Sequence, residues 1–430
     1  MRVCVFGLWH LGSVISAGLA HLGHTVVGFD FNRDTIENFQ NGKAPISEPG
    51  LNELILENLQ KKTLSFTNDP ALALAECDIV WIAFDTPVDE QDNADFGYIE
   101  KSFNTVSGLL QNGTKIIISS QVPVGFTRSL SEKFHECHPD LNVYFAYSPE
   151  NLRLGKALNV FLEPDRIIIG IRPNEKSIFY PIFASICDRL EWMSIESAEM
   201  TKHAINAFLA TSVCFANEVA TICEYVGADA KEVERGLKTE ERIGPKAYLK
   251  PGSAFSGGTL ARDIRFLQEL GEKHHLPIPV INAVPESNDF HKTWIKRKCL
   301  EALGDLKGKR ISVLGLTYKP GTDTLRRSLS VELCKWLNDQ GAEVVAFDPV
   351  IHEIPPELQK IFLLSSDVAS AIKNADCIII ATEWPDFQKI QMDSLIHMRI
   401  KILIDPNGFV KCNMGTTNNV RYLTVGSDLS

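Results

Sequence analysis

The sequence predicts an α/β protein in which two doubly wound, parallel-sheet domains are joined by a central helical region with one long helix. Three observations predict it. Short apolar runs recur towards both ends of the chain, each closed by a polar loop bearing Gly or Pro, the pattern of strands buried on both faces. The first pattern returns in the last third: Arg310-Ile311-Ser312-Val313-Leu314-Gly315-Leu316 resembles Arg2-Val3-Cys4-Val5-Phe6-Gly7-Leu8, and Gly341–Asp348 resembles Gly23–Asp30. Between the copies, the stretch from Ala198 to Val226 contains no helix breaker. The expected domains are 1–196, 197–303 and 304–430.

Met1–Phe6 reads as a buried strand, and Gly7-Leu8-Trp9-His10-Leu11-Gly12 as the turn into a helix, Ser13–Leu22. A second strand, Thr25 onward, ends in Asp30. This is the Rossmann-like layout that binds a dinucleotide. Gly7 serves the tight turn and Gly12 the close helix–sheet packing. Asp30, 18 residues after Gly12, is placed to accept hydrogen bonds from ribose hydroxyls. A carboxylate there repels a 2′-phosphate, so NAD is expected rather than NADP. Trp9, His10 and Leu11 complete the turn; Trp9 stands where a second glycine would let the backbone meet the pyrophosphate.

Further strands follow. Cys77–Phe84 ends at Asp85-Thr86-Pro87, Lys115–Ser119 at Ser120-Gln121, and Val143–Tyr147 at Ser148-Pro149-Glu150. In an open parallel sheet such carboxyl ends line the ligand crevice, so Asp85, Gln121 and Glu150 are expected near one another and Thr86 and Pro87 beside the cofactor. On the long helix Lys202 and Asn206 lie at i and i+4, on one face. Either they meet something polar or they belong to a solvated stripe, a reading that Glu199 one turn earlier favours. A loop rich in Gly, Pro and Ser then leads through Gly257-Gly258-Thr259 to a helix from Asp263. In the second copy Thr317-Tyr318-Lys319-Pro320-Gly321 replaces the glycine fingerprint, which points to a nucleotide carrying something else rather than a second dinucleotide.

Composition bounds the rest. The chain has 430 residues, 44% hydrophobic and 23% charged, ordinary for globular domains with large cores. A net charge of -11 argues against a nucleic-acid partner. Ten cysteines without a CxxC pair read as reduced core residues of a cytoplasmic protein, not as zinc ligands or disulfides. No secretory signal is seen at the start, and no apolar run approaches the ~20 residues that span a membrane.

Together these residues resemble the UDP-glucose/GDP-mannose dehydrogenases, a family of NAD-dependent nucleotide-sugar dehydrogenases. The resemblance runs through nearly the whole chain and is carried by Gly42–Leu51, Val122-Pro123-Val124-Gly125, Ser148-Pro149-Glu150, Thr201-Lys202 with Asn206, Arg242–Lys246, Gly257-Gly258 with Asp263, and Leu314–Pro320 with Asp323 and Arg326. It implies oxidation of a sugar C6 hydroxyl, in the family twice, giving a uronic acid and two NADH. Lys202 and Asn206 would stabilise the developing alkoxide, Asp263 would hold a proton-transfer network, and Glu150 would activate water. Tyr248, Leu249 and Lys250, with Leu152, Ser253, Gly257 and Gly258, would contact the nucleotide sugar. Tyr318, Lys319 and Arg326 would line the far side of the cleft, Arg326 towards the cofactor. The resemblance also implies a homodimer, with Arg242 reaching the neighbouring subunit's site. The Arg242 and Tyr248–Lys250 stretches resemble the UDP-sugar branch.

Trp9 and Asp85 depart from the family's pattern on the NAD side, and four further departures cluster in one pocket. Thr259 stands where the family has its cysteine nucleophile, Arg262 where it has a lysine, Gln121 where it has a threonine that places water, and Leu154 where it has a second carboxylate. A thiolate is accessible near neutral pH; a threonine hydroxyl needs strong activation. The groups for the first alcohol oxidation are present and the covalent capture group is not. The expectation is therefore a UDP-hexose dehydrogenase that omits the thioester step. The alternatives are four-electron oxidation through the aldehyde hydrate, with Glu150 as base, and a low-turnover nucleotide-sugar binding protein. A 3-hydroxyacid dehydrogenase would lack the second parallel-sheet copy.

Overall fold

The computed structural model describes residues 1–86, 95–150, 152–256, 258–325, 328–390, 392–410 and 420–429. The chain divides into two compact units, Met1–Ile205 and Asn206–Ser430.

The first unit is built on eight strands: β1 Arg2–Phe6, β2 Thr25–Phe29, β3 Leu64–Thr67, β4 Ile79–Ile82, β5 Lys115–Ile118, β6 Tyr144–Tyr147, β7 Ile167–Ile171 and β8 Leu190–Ser194. Their order is β3-β2-β1-β4-β5-β6-β7-β8. Pairing is parallel as far as β6; β7 joins β6 antiparallel. Alternate side chains of one strand serve opposite cores, as the pleat requires. Val3, Val5, Ile79 and Trp81 enter one core; Cys4, Phe6, Val80 and Ile82 enter the other. This is why the runs read as continuously apolar. The strand order reverses between β1 and β4, and helix α1, His10–His21, starts at that switch point.

The second unit repeats the plan. Its strands are β9 Arg310–Leu314, β10 Glu343–Phe347, β11 Leu363–Leu364, β12 Cys377–Ile380, β13 Ile402–Ile404, β14 Arg421–Thr424 and β15 Ser427–Leu429. Their order is β11-β10-β9-β12-β13-β14-β15, with only β15 antiparallel. Ile311 and Val313 face one core, Leu314 and Ile378 the other.

The long helix α2 runs Ile195–Val226, 32 residues, and so begins three residues before the expected start. By length and composition it is apolar enough to cross a membrane, contrary to the expectation from uninterrupted runs. Its charges Glu196, Glu199 and Lys202 fall in the first turns and Glu218 and Glu224 in the last ones, leaving an Ala-rich middle free of charge. Composition of this kind is shared by the core helices of soluble proteins. The second unit also contains α3 Thr259–Lys273, α4 Pro279–Lys292 and α5 Leu329–Asp339.

Candidate active site

The turn after β1 has the geometry its glycines require. Gly7 has φ +96°, a conformation that side chains resist, and its N–H donates to Phe29 O at 2.9 Å. A Cβ on Gly12 would lie 1.8 Å from Gly7 O, so the helix can pack this close to the strand only with glycine there. Asp30 Oδ2 accepts from Leu8 N at 3.0 Å and Oδ1 from Asn32 N at 2.9 Å, which orients the carboxylate at the end of β2. Trp9, the residue before α1, supplies no side-chain cap and is half exposed. His10 Nε2 lies 3.2 Å from Glu48 Oε2, and Glu48 also accepts from Gly155 N and Ala157 N. The His10 side chain is thus held by protein, while its backbone opens the helix. These residues fit a dinucleotide: a tight turn, a helix start without a cap of its own, and an acid at ribose distance along the fingerprint.

The three carboxyl-end residues expected near one another each hold a contact of their own, and Asp85 and Gln121 are linked through Thr86, the neighbour of Asp85. Asp85 Oδ2 accepts from Leu11 N at 3.2 Å, at the first turn of α1. Gln121 is joined to the neighbouring loop through its carbonyl, which accepts from Thr86 Oγ1 at 2.7 Å. Glu150 pairs instead with the long helix. Lys202 Nζ donates to Glu150 O at 2.6 Å and to Glu150 Oε1 at 3.0 Å, and Glu150 Oε2 accepts from Leu152 N at 2.7 Å. Lys202 is buried, so a charge-assisted pair here is strong and sets the ammonium's position. Pro87 lies outside the described residues.

Glu199 overturns the solvated-stripe reading of this helix face. It is fully buried and accepts from Gly125 N at 2.6 Å and Thr127 N at 2.9 Å, capping the helix Phe126–Cys137. Burial pushes its carboxyl above the usual range, and those backbone donors pull the other way. His203 Nε2 bonds Val122 O at 3.0 Å in the same way. The apolar face was legible in the sequence; the polar partners of Glu199 and His203, some 70 to 80 residues earlier in the chain, were not.

In the second unit, Asn206 Nδ2 donates to Asp263 Oδ2, and Asp263 is wholly buried. Helix α3 starts at Thr259, four residues before the expected start, because Gly258 with φ +98° makes the turn into it. Thr259 is exposed at the first helical position. A Cβ on Gly258 would lie 3.5 Å from Tyr318 Oη. Gly257 and Arg326 lie outside the described residues. Tyr248 and Lys250 are exposed and Leu249 and Lys319 part-buried. The Arg242 side chain is 88% exposed and its Nε pairs with Glu240 at 2.7 Å. None of the described cysteines lies in this loop.

Sequence reasoning missed the residues that shape the loop before α3. Asn217 Oδ1 accepts from Gly252 N at 3.0 Å, and Asn407 Oδ1 from Ser253 N at 2.7 Å. Asn288 bonds both polar groups of Phe255, and His291 Nε2 bonds Gly252 O at 2.8 Å. Asn217 had a signal: it follows Asn206 by eleven residues on an Ala-rich helix, three turns along the same face. The other three come from distant segments, and only the fold brings them together.

Comparison with known proteins matches three consecutive domain descriptions. Residues 1–186 match the NAD binding domain of the UDP-glucose/GDP-mannose dehydrogenase family, 196–290 its central domain, and 312–411 its UDP binding domain. The chain is 32% identical to a UDP-glucose 6-dehydrogenase of Rhizobium meliloti (strain 1021), covering 99% of each. It is 34% identical to a UDP-glucose 6-dehydrogenase of Bacillus subtilis (strain 168), over 91% of this chain and 85% of the relative. Among solved structures, a UDP-glucose dehydrogenase of the archaeon Pyrobaculum islandicum superposes with a TM-score of 0.83 at 30% identity, over 95% of both chains.

Proposed function

The chain belongs to the UDP-glucose/GDP-mannose dehydrogenase family, and from that premise we propose that it oxidises a UDP-hexose such as UDP-glucose at C6 with NAD, without a covalent thioester step. The observation that carries this reading is a split between two chemistries. The buried pairs that suit alcohol oxidation, Lys202 with Glu150 and Asn206 with Asp263, are formed. Where the family has its cysteine, the loop that suits aldehyde capture offers the Thr259 hydroxyl, exposed at a helix start.

Gly7, Leu8, Leu11, Gly12 and Asp30 would hold the dinucleotide, which supplies the hydride acceptor when bound. The Lys202 ammonium donates a hydrogen bond to the substrate oxygen as charge develops there. The Asn206 amide, fixed by Asp263, adds a second donor to the same task. Glu150 sets the position of Lys202. Both its carboxylate oxygens already accept hydrogen bonds, one from Lys202 and one from Leu152 N, which weighs against Glu150 as the base of a hydrate route. Tyr248, Leu249, Lys250, Ser253, Gly258, Tyr318 and Lys319 are assigned to the nucleotide sugar.

A homodimer formed through α2 belongs to the same proposal. Phe208, Phe215 and Ile222 recur every seven residues along the helix and are exposed, and Tyr225 and Val226 extend the stripe. A heptad-spaced apolar seam suits pairing with a second copy. Light scattering should report twice the chain mass, and a monomer would overturn that part. A cytoplasmic setting is proposed with it, consistent with the described cysteines being free thiols.

The test is stoichiometric. Enzyme, NAD and UDP-glucose are incubated to completion and NADH is counted per sugar consumed. One per sugar is expected, with a product that carbonyl reagents trap. Two per sugar would overturn the two-electron reading. A Thr259→Cys variant should move the ratio towards two only if the rest of the pocket, with its Arg262, Gln121 and Leu154, still fits the acid-forming path.

A further inference from the structure

Resting on the reading that NAD binds the β1–α1 turn, we infer that Asp85 is a built-in competitor for the dinucleotide's pyrophosphate and lowers the protein's affinity for it. Backbone N–H groups at a helix start form the anion site of such turns. In this chain one of those groups is already taken: Leu11 N donates to Asp85 Oδ2 at 3.2 Å. The residue before the helix leaves the position open, because Trp9 makes no side-chain cap. The first turn also carries no acidic side chain of its own. Asp85 therefore reaches it from another strand, following β4, which lies beside β1 across the switch point.

The consequence is electrostatic. A pyrophosphate seeking Leu11 N meets a carboxylate with a full negative charge on the same donor. Two anions cannot share it, so Asp85 must turn away before the dinucleotide is seated. Its side chain is exposed, so water can receive it when it does. The work of breaking the Leu11 contact, and the repulsion that remains, are subtracted from binding. The penalty attaches to the phosphates and not to the adenine or ribose. The protein should thus hold NAD weakly, so that occupancy follows the NAD concentration.

Three ligands separate this from a merely structural role. Adenosine, ADP and NAD are titrated into the full-length wild type, Asp85→Asn and Asp85→Gly, with tryptophan fluorescence or calorimetry as readout. Asparagine keeps the shape and removes the charge; glycine removes the side chain. Both variants should bind ADP and NAD about tenfold more tightly, a change of ~1.4 kcal/mol, and adenosine as the wild type does. The gain should shrink as salt is raised, since the repulsion is partly screened. If wild type binds NAD and neither variant binds it more tightly, this inference falls and the NAD reading stands. If adenosine gains as much as ADP, the effect is on the shape of the site and the inference also falls. If neither wild type nor variants bind NAD, both fall together.

Discussion

The two parallel sheets share one plan and treat the start of their first helix in opposite ways. Both run in the order third, second, first, fourth, fifth, sixth strand. Both turn on a positive-φ glycine, Gly7 and Gly315, whose N–H bonds the end of the second strand. After Gly7 the helix begins within three residues, at His10; after Gly315 the chain runs on to Leu329. Helix α1 has no cap from its preceding residue, whereas Ser328 caps α5 by accepting from Val331 N. Asp30 takes one donor from its turn. Its counterpart Asp348 is buried and takes Leu316 N, Thr317 N and Trp384 Nε1 on one oxygen. The first copy covers its helix start only with Asp85, an exposed side chain from another strand that a ligand can displace, and the second closes its own with a cap and a buried acid. Topology provides the crevice; loop length and capping decide whether a dinucleotide can use it.

The comparison is most easily broken at the turn glycine. A Cβ on Gly12 would approach Gly7 O to 1.8 Å, backbone against backbone, and neither can yield without opening the helix–strand contact. Gly12→Ala should cost more than the ~1–3 kcal/mol of ordinary overpacking and abolish NAD binding. Thermal melting and NAD titration check it. A stable, binding-competent variant would mean that the first copy does not depend on this close approach.

The paired acids separate next. Asp348→Ala leaves the buried Leu316 N and Thr317 N without their acceptor and takes one partner each from the Thr317 hydroxyl and Trp384 Nε1; it should cost about 3 kcal/mol by denaturant unfolding, with NAD affinity unchanged. Asp30→Ala should do the reverse: a small loss of stability, and NAD binding weaker by about tenfold, the equivalent of ~1.4 kcal/mol. If Asp348→Ala weakens NAD binding as much as Asp30→Ala does, the division of labour between the copies is wrong. Smaller still, Ser328→Ala should cost about 1 kcal/mol as a lost cap and leave NAD binding alone.

What the sequence carried and what it did not follows from the range of the interactions. Strand runs such as Ile79–Ile82 are legible because burial on both faces leaves no alternation, and the repeated order made two sheets out of one pattern. Gly7 and Gly12 are legible because their demands are local. Lys202 and Asn206 stood out as polar residues on an apolar helix. Their partners were less accessible: Glu150 is 52 residues from Lys202, and Asp263 is 57 from Asn206. Glu199 was misread for the same reason, since a lone acid looks solvated until the helix it caps is placed beside it. Asp85 was seen as a departure, but only its contact with Leu11 gives that departure a consequence.

The finest distinction concerns the loop before α3, where His291 bonds Gly252 O at 2.8 Å. Burial lowers the imidazole's pKa below its ordinary 6.5, so the folded protein holds the ring neutral while the unfolded chain protonates it more readily. The sign follows from proton uptake. Above the unfolded pKa both states are neutral and the contribution to stability is complete. As pH falls through that value and on towards the depressed folded one, the unfolded state binds the extra proton and stability is lost. His291→Gln keeps an amide donor for Gly252 O and removes the titration. Wild type should therefore lose more stability than the variant between pH 7.5 and pH 5.5, in melts or denaturant midpoints. Equal losses would show that acid acts elsewhere, for instance at His24, whose pKa burial also lowers. Because Gly252 opens the loop that leads to Thr259, the same acidification should weaken UDP binding in wild type more than in the variant, while NAD binding at the first sheet follows the same course in both.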